Sequence, residues 1–288
     1  MNLRRCALAS VLLLFTAAPL AVARDLVMSL VPAENNEDML RRFEPMRAYL
    51  ERKLDEKVKM FVATDYTAVI EAMRKKRVDI AWYGPMSYLL AEQEAGAEAF
   101  AVGIRTGTAT HTYKTLIVAR CGIGVHSLKD LKGRSVAFVD PASTSGGLVP
   151  AYMVKRESGL TPQEFFGKFT YAGSHDAAEL AVKNGTVDAA ADNDITYNRM
   201  LAKGLIGKDT NCVVAESDPI PGPPLAFRSD LPADLKKRIV DAVLNAHLET
   251  DISGYIPITR YVPVTAADYQ SVRDMVRELG LKKEQMLK

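Results

Sequence analysis

No one sign of charge dominates this chain, which sets 37 Lys and Arg against 35 Asp and Glu in 288 residues. Arg4 and Arg5 are the only charged side chains before residue 24, so a chain lacking residues 1–23 carries 35 of each sign. Nucleic-acid binding calls for a basic excess, and this balance argues against it. Beyond the first twenty-odd residues no apolar run is long enough to span a bilayer. Cysteine is scarce, with three in all. The chain has no G-x-S-x-G elbow, no H-E-x-x-H and no clustered metal ligands, so the common hydrolase and zinc-enzyme signatures are missing. Gly146-Gly147 is not followed by the lysine of a nucleotide-binding P-loop. No low-complexity tract or long linker interrupts the sequence.

What is present begins with a targeting segment. Arg4 and Arg5 precede an apolar stretch from Ala7 to Pro19, and Ala21-Val22-Ala23 forms a small-x-small cleavage site. Residues 1–23 therefore read as a secretory signal peptide, and the remainder as a soluble protein of the periplasm. Cys6 lies ahead of the apolar stretch, away from any lipid-attachment position. Cys121 and Cys212 remain after cleavage. In an oxidising compartment they read as a structural disulfide, with two free thiols as the alternative.

Strand and helix patterns alternate along the mature chain, the signature of an α/β fold. Strands are expected at 26–31, 58–62, 78–82, 115–119, 136–139, 169–171, 189–191 and 213–215. Helices are expected at 36–54, from Asp65 to Met73, from Pro85, from near Leu148, at 234–247 and at 266–279. The length is generous for one core and suits two lobes. One internal echo supports this. A-V-I-E-A-M-R-K-K-R-V-D-I-A-W-Y-G resembles A-A-E-L-A-V-K-N-G-T-V-D-A-A-A-D-N, each a helix, a polar turn and a V-D-x-A strand. Two such units suggest similar lobes facing one another, with ligand beyond the strands' carboxyl ends.

Three consecutive hydroxyl residues, Ser143, Thr144 and Ser145, sit in D-P-A-S-T-S-G-G-L-V-P between a strand and a helix. Hydroxyls, free backbone N–H groups and a helix N-terminus at one place favour a small anion. An ordinary helix cap flanked by turn residues is the competing reading. Tyr66, Tyr83, His175 and Asp194 occupy comparable strand ends or helix starts. An imidazole N–H at His175 would donate to an anion.

With these motifs in view, the chain resembles the periplasmic phosphonate-, phosphite- and phosphate-binding proteins of ATP-driven (ABC) importers. The resemblance rests on D-Y-T-A-V-I-E-A-M, V-D-I-A-W-Y-G-P-M-S-Y, D-P-A-S-T-S-G-G-L-V-P and A-G-S-H-D-A-A-E-L-A-V-K-N-G-T-V-D-A, in family order over most of the mature chain. It implies a two-lobed periplasmic binding protein fold of type II, with mixed sheets flanked by helices and a cleft between lobes. The lobes are expected at 24–112 plus 225–288 and at 113–224. By the same resemblance Ser143, Thr144, Ser145 and His175 grip the oxyanion and Tyr66 meets it from the other lobe. Tyr113 matches a family tyrosine near the crossing, and Tyr83 a position close to the cleft. Aminoethylphosphonate binders hold the ligand's ammonium with two acids, but the matching positions here are Ile195 and Pro223. Asp192 and Asp194 are the nearest carboxylates that would substitute for them.

The expected function is capture of a phosphorus oxyanion by a monomer and delivery to an ABC importer permease, with no cofactor and no metal. A ligand carrier for a membrane sensory receptor is the alternative within binding. A phosphoester or phosphonate hydrolase, with the hydroxyl triplet beside His175 as nucleophile and base, is the enzymatic one.

Overall fold

A computed structural model describes residues 25–287. The expected signal peptide at 1–23 lies outside the described residues. Among these no helix is long and apolar enough to cross a membrane. The first part of the chain runs β1 (Leu26–Leu30), α1 (Asn36–Leu54), β2 (Val58–Val62), α2 (Tyr66–Arg74), β3 (Ile80–Trp82), α3 (Pro85–Ala95) and β4 (Ala97–Arg105). The middle runs β5 (Thr115–Arg120), β6 (Ser135–Phe138), α4 (Val149–Ser158), α5 (Pro162–Phe165), β7 (Lys168–Tyr171), α6 (His175–Lys183), β8 (Ala189–Asn193), α7 (Asp194–Ala202) and β9 (Asn211–Glu216). The last part adds β10 (Pro224–Arg228), α8 (Ala233–Asn245), β11 (Ile258–Pro263), α9 (Gln270–Leu279) and α10 (Lys283–Met286).

The strands form two mixed sheets. The first has the order β11-β4-β10-β3-β1-β2, and the second β7-β6-β8-β5-β9. In the first, β1 runs parallel to β2 and β3, while β10 and β11 are antiparallel to their neighbours. In the second, β6 is parallel to β7 and β8, and β5 is antiparallel to β8 and β9. The first sheet thus draws on both ends of the chain and the second on its middle. The two connecting segments lie side by side, Tyr113 and Ile220 exchanging backbone bonds of 3.1 and 2.8 Å.

The internal echo corresponds to matched geometry. Asp79, in V-D-I-A, accepts the N–H of Val27 on β1 at 2.9 Å, and Asp188, in V-D-A-A, accepts the N–H of Ser135 on β6 at 3.0 Å. Each aspartate thereby fixes the start of its strand against a parallel neighbour, and each strand then points its carboxyl end at the same region. Burial drives the rest. Helix α1 sets Met39, Phe43, Met46, Leu50 and Leu54 on one inward face, spaced three or four apart. Asn35 caps it by accepting from Glu37 and Asp38 N–H.

Three strands were not expected from the sequence. β4 is an alanine-rich stretch following a helix, and it gains its strand conformation by pairing with both β10 and β11. β10 starts at a proline and β11 ends at one, a composition that argues for loops when read locally.

Cys121 and Cys212 are joined in a disulfide. They close a loop 91 residues apart in sequence. Loop-closure entropy of that size stabilises by about 4 kcal/mol. Replacing both with serine is expected to lower the unfolding free energy by roughly that amount, read by chemical denaturation. A loss below about 1 kcal/mol would mean that the unfolded chain is not constrained by this link.

Candidate functional site

The sites of interest are ends of elements. Ser143 follows β6, and its Oγ caps the next turn by accepting from Gly146 N–H at 3.1 Å. That turn is wider than an α-helical one, for Leu148 N–H reaches back five residues to Ser143 O at 2.9 Å. Such widened turns recur at functional sites. The glycines make it possible: a Cβ on Gly146 would sit 2.3 Å from Val139 Cγ2, and one on Gly147 2.4 Å from Asp140 O. Tyr66 is the first residue of α2, capped by Asp65, which accepts from Ala68 N–H at 2.7 Å. His175 opens α6 under the cap of Ser174. Asn193 caps α7, its Oδ1 accepting from Ile195 and Thr196 N–H at 3.0 and 2.9 Å.

These ends converge on one small cavity. Its walls are Tyr66, Tyr113, Ser143, Thr144, Ser145, His175 and Asn193 on the polar side. Val31, Ala33, Trp82, Gly84, Pro223 and Tyr255 complete it. The cavity is small and its polar walls are buried. No Lys, Arg, Asp or Glu is among the lining residues. The polar atoms are hydroxyls, an imidazole and an amide, in front of the N-termini of α2, α6 and α7. Aligned peptide dipoles make such ends favourable for an anion.

Protonation follows from burial. Desolvation raises Tyr66 and Tyr113 above the ordinary phenol range, so both keep their O–H. Desolvation pushes His175 down to about 4, so the ring is neutral. Its Nδ1 lies 2.7 Å from Asp192 Oδ1. That distance suggests an ion pair, but both groups are fully enclosed, and burial pushes Asp192 up to about 8. The neutral pairing is the better description, because separating charge in this interior costs more than a buried pair returns.

Six of the eight sequence-derived ligand candidates line the cavity: Tyr66, Tyr113, Ser143, Thr144, Ser145 and His175. Tyr83 does not. It is fully buried behind α2, with its hydroxyl 3.6 Å from Met73 Sδ. Strand alternation turns it away while Trp82, its neighbour, faces the cavity. Asp194 is also elsewhere. It accepts from Arg105 at 2.7 Å and from Lys114 N–H at 3.1 Å, bracing the crossing between the sheets. Asp192 stands behind His175. Neither aspartate therefore takes the place of an ammonium-binding acid, and Pro223 leaves the wall apolar at that point. Asn193 and Tyr255 were missed. Asn193 carried a usable signal, a capping residue at a strand end. Tyr255 lies far along the chain in S-G-Y-I-P, and only the topology brings it in.

Segments from the two halves meet around the cavity. Met86 N–H donates to Thr144 Oγ1 at 2.8 Å, and His175 N–H to Ala33 O at 2.9 Å. Glu34, after β1, accepts from Arg42 at 2.7 Å, from Thr196 Oγ1 at 2.8 Å and from Arg199. Arg199 also donates to Tyr255 O at 2.7 Å. The lobes are closed on one another.

A family model for the periplasmic substrate-binding protein of ABC phosphonate transporters matches residues 28–269. This chain belongs to that family. The phosphonates-binding periplasmic protein of Escherichia coli K12 is 30% identical over 260 residues, covering 88% of this chain and 75% of that one. The phosphate-import protein PhnD of Mycolicibacterium smegmatis is 31% identical over 280 residues, covering 90% and 87%. Among solved structures, a binding-protein component of an ABC phosphonate transporter from Pseudomonas aeruginosa superposes with a TM-score of 0.82. It is 25% identical, with 91% of each chain covered. PhnD1 of Prochlorococcus marinus, solved with methylphosphonate, has the same fold at TM-score 0.80 and 22% identity, covering 88% and 98%. As a phosphonate-family binding protein the chain has the two-lobed fold and a substrate-binding role in ABC import, and the cavity lies where its two sheets face each other.

Proposed function

We propose that this protein captures a small phosphorus oxyanion in the periplasm, after loss of residues 1–23, and presents it as a monomer to an importer permease. The lobe limits, 24–112 with 225–288 and 113–224, belong to the same reading. One observation carries it: uncharged donors from both lobes surround a closed cavity that holds no fixed charge. Each donor aimed at a dehydrated anion contributes a charge-assisted bond of about 1.5–3 kcal/mol. The donors come from both halves, so ligand favours the closed arrangement through contacts that only this arrangement offers.

The wall also bears on which oxyanion. Besides the hydroxyl triplet, the lining includes Val31, Ala33, Pro223 and the rings of Trp82 and Tyr255, 4.8 Å apart. A P–H or P–CH₃ group suits such a surface, whereas an aminoethyl arm finds neither room nor a carboxylate. Phosphite or methylphosphonate is therefore preferred over aminoethylphosphonate. Capture without turnover is part of the proposal. Ser143 Oγ accepts from Gly146 N–H, and His175 Nδ1 is engaged by Asp192. Calorimetry with phosphite, methylphosphonate, phosphate, aminoethylphosphonate and sulfate tests this. Tight one-to-one binding of phosphite or methylphosphonate, at least tenfold above aminoethylphosphonate and with ligand recovered intact, is expected. Binding led by sulfate or aminoethylphosphonate would refute the assignment.

A further inference from the structure

Behind His175 lies a row of buried polar groups that ligand contact does not account for. Glu179, Asp192 and Asn211 are fully buried. Asn211 Nδ2 donates to Glu179 Oε2 at 2.6 Å. Asp192 Oδ1 meets His175 Nδ1 at 2.7 Å. The other oxygen of each acid, Glu179 Oε1 and Asp192 Oδ2, is buried and receives no N–H or hydroxyl donor, while the two carboxyl groups are in contact with one another. Two adjacent carboxylates cannot both stay ionised in such a place, so protons must sit between them.

The polarity of the row is set by Asn193. Its Oδ1 accepts from two backbone N–H groups, which leaves its Nδ2 as the donor end. That Nδ2 points at Tyr255 O–H, 2.9 Å away, and at His175 Nδ1, 3.1 Å away. Nδ1 facing an amide N–H carries its lone pair. The hydrogen between Nδ1 and Asp192 therefore belongs to Asp192, and the ring's own proton is on Nε2.

We propose that Glu179 and Asp192 are positioning residues, two protonated acids that hold neutral His175 with its N–H on Nε2, free for the bound anion. Every bond in the row then has one donor. Glu179 Oε1–H donates to Asp192 Oδ2, Asp192 Oδ1–H to His175 Nδ1, and His175 Nε2–H to an oxygen of the ligand. The arrangement supplies a donor without a cation and keeps carboxylate charge from standing behind the anion.

Burial is the main cause that raises both acids, Asp192 to about 8, while the contact between them raises Glu179 further. The other charged or titratable groups facing this row are Glu34 from the β1–α1 loop, Asp176 on α6, and Arg199 and Tyr197 on α7, with Tyr255 from the loop before β11. Glu34 is held by Arg42 and Arg199, and burial keeps both tyrosines protonated. Asp192 is thus the group that titrates first as pH rises. Its loss of a proton near pH 8 would move the ring's N–H to Nδ1 and turn Nε2 into an acceptor that repels the anion.

The consequence for affinity rests on the anion-capture reading, but the tautomer does not, and it is measured without ligand. Nitrogen-15 spectra of the ligand-free protein are recorded at pH 7, with His111, His126 and His247 replaced by glutamine. They should show a neutral ring protonated on Nε2. A proton on Nδ1, or an imidazolium, overturns the proposal. With phosphite as probe, Asp192→Asn and Glu179→Gln imitate the protonated acids and should bind within about threefold of wild type at pH 7. The ratio of wild-type to Asp192→Asn affinity should fall about tenfold from pH 7 to pH 9, since ligand ionisation cancels in the ratio. A tenfold or greater loss in Asp192→Asn at pH 7, or a flat ratio, also overturns it. If phosphite fails to bind the wild type, the capture reading is at fault, and the spectra still decide the tautomer. Should a variant fail to fold, they decide it equally.

Discussion

Replacing Thr144 with valine should weaken ligand binding about a hundredfold. The substitution keeps the shape and removes the hydroxyl. In the closed protein Thr144 Oγ1 accepts from Met86 N–H, leaving its own hydrogen to donate into the cavity. Valine removes both bonds. The lost donor accounts for about 1.5–3 kcal/mol and the orphaned, buried Met86 N–H for a further ~1 kcal/mol or more. Together these amount to about 3 kcal/mol, or two powers of ten in affinity. The second part arises only when the lobes close, so the thermal stability of the ligand-free protein should change much less than its affinity. Calorimetry and a melting curve on the same sample separate the two. A variant that keeps its affinity would remove the hydroxyl triplet from the binding site.

The other large effect is expected from a residue that does not line the cavity. Glu34→Ala should lower affinity about thirtyfold and populate an open form of the ligand-free protein in small-angle scattering. Glu34 is nearly enclosed and faces two guanidinium groups, Arg42 from its own half and Arg199 from the other, with side chains 19% and 16% exposed. Removing one partner from a buried pair costs about 3–5 kcal/mol. Partial exposure of the arginines reduces this to about 2 kcal/mol. Because Arg199 crosses the cleft, that loss falls on the closed state. Lys203–Asp38 also crosses the cleft, but its side chains are 44% and 27% exposed. Lys203→Ala should therefore change affinity by a factor of about two or less. Equal effects from the two substitutions would show that burial does not set the strength of these contacts.

The sequence revealed most where one local pattern carried the information. V-D-x-A strands are buried runs bounded by turns, and in both halves the expected strand forms beside a parallel neighbour. The hydroxyl triplet was visible for the same reason. The widened turn that aims it was not, because it depends on Gly146 and Gly147 packing against Val139 and Asp140. Tyr83 and Asp194 show the opposite failure. Both stand at strand ends, as ligand residues do, but one faces the core and the other answers Arg105, a partner 89 positions away. β10 and β11 were hidden because prolines at their ends hide strands whose pairing is entirely long-range. Tyr255 could be placed only once β11 was known to join β4 and carry the preceding loop to Trp82.

A cavity lined by hydroxyls, ring nitrogen and amide behaves unlike one built from lysine and arginine when the medium changes. Dissolved electrolyte weakens attraction between exposed ions over about 10 Å at 0.1 M. It has little hold on dipoles sealed from solvent. Affinity for a bound anion should therefore change little as salt is raised, as titration calorimetry in low and high salt would read.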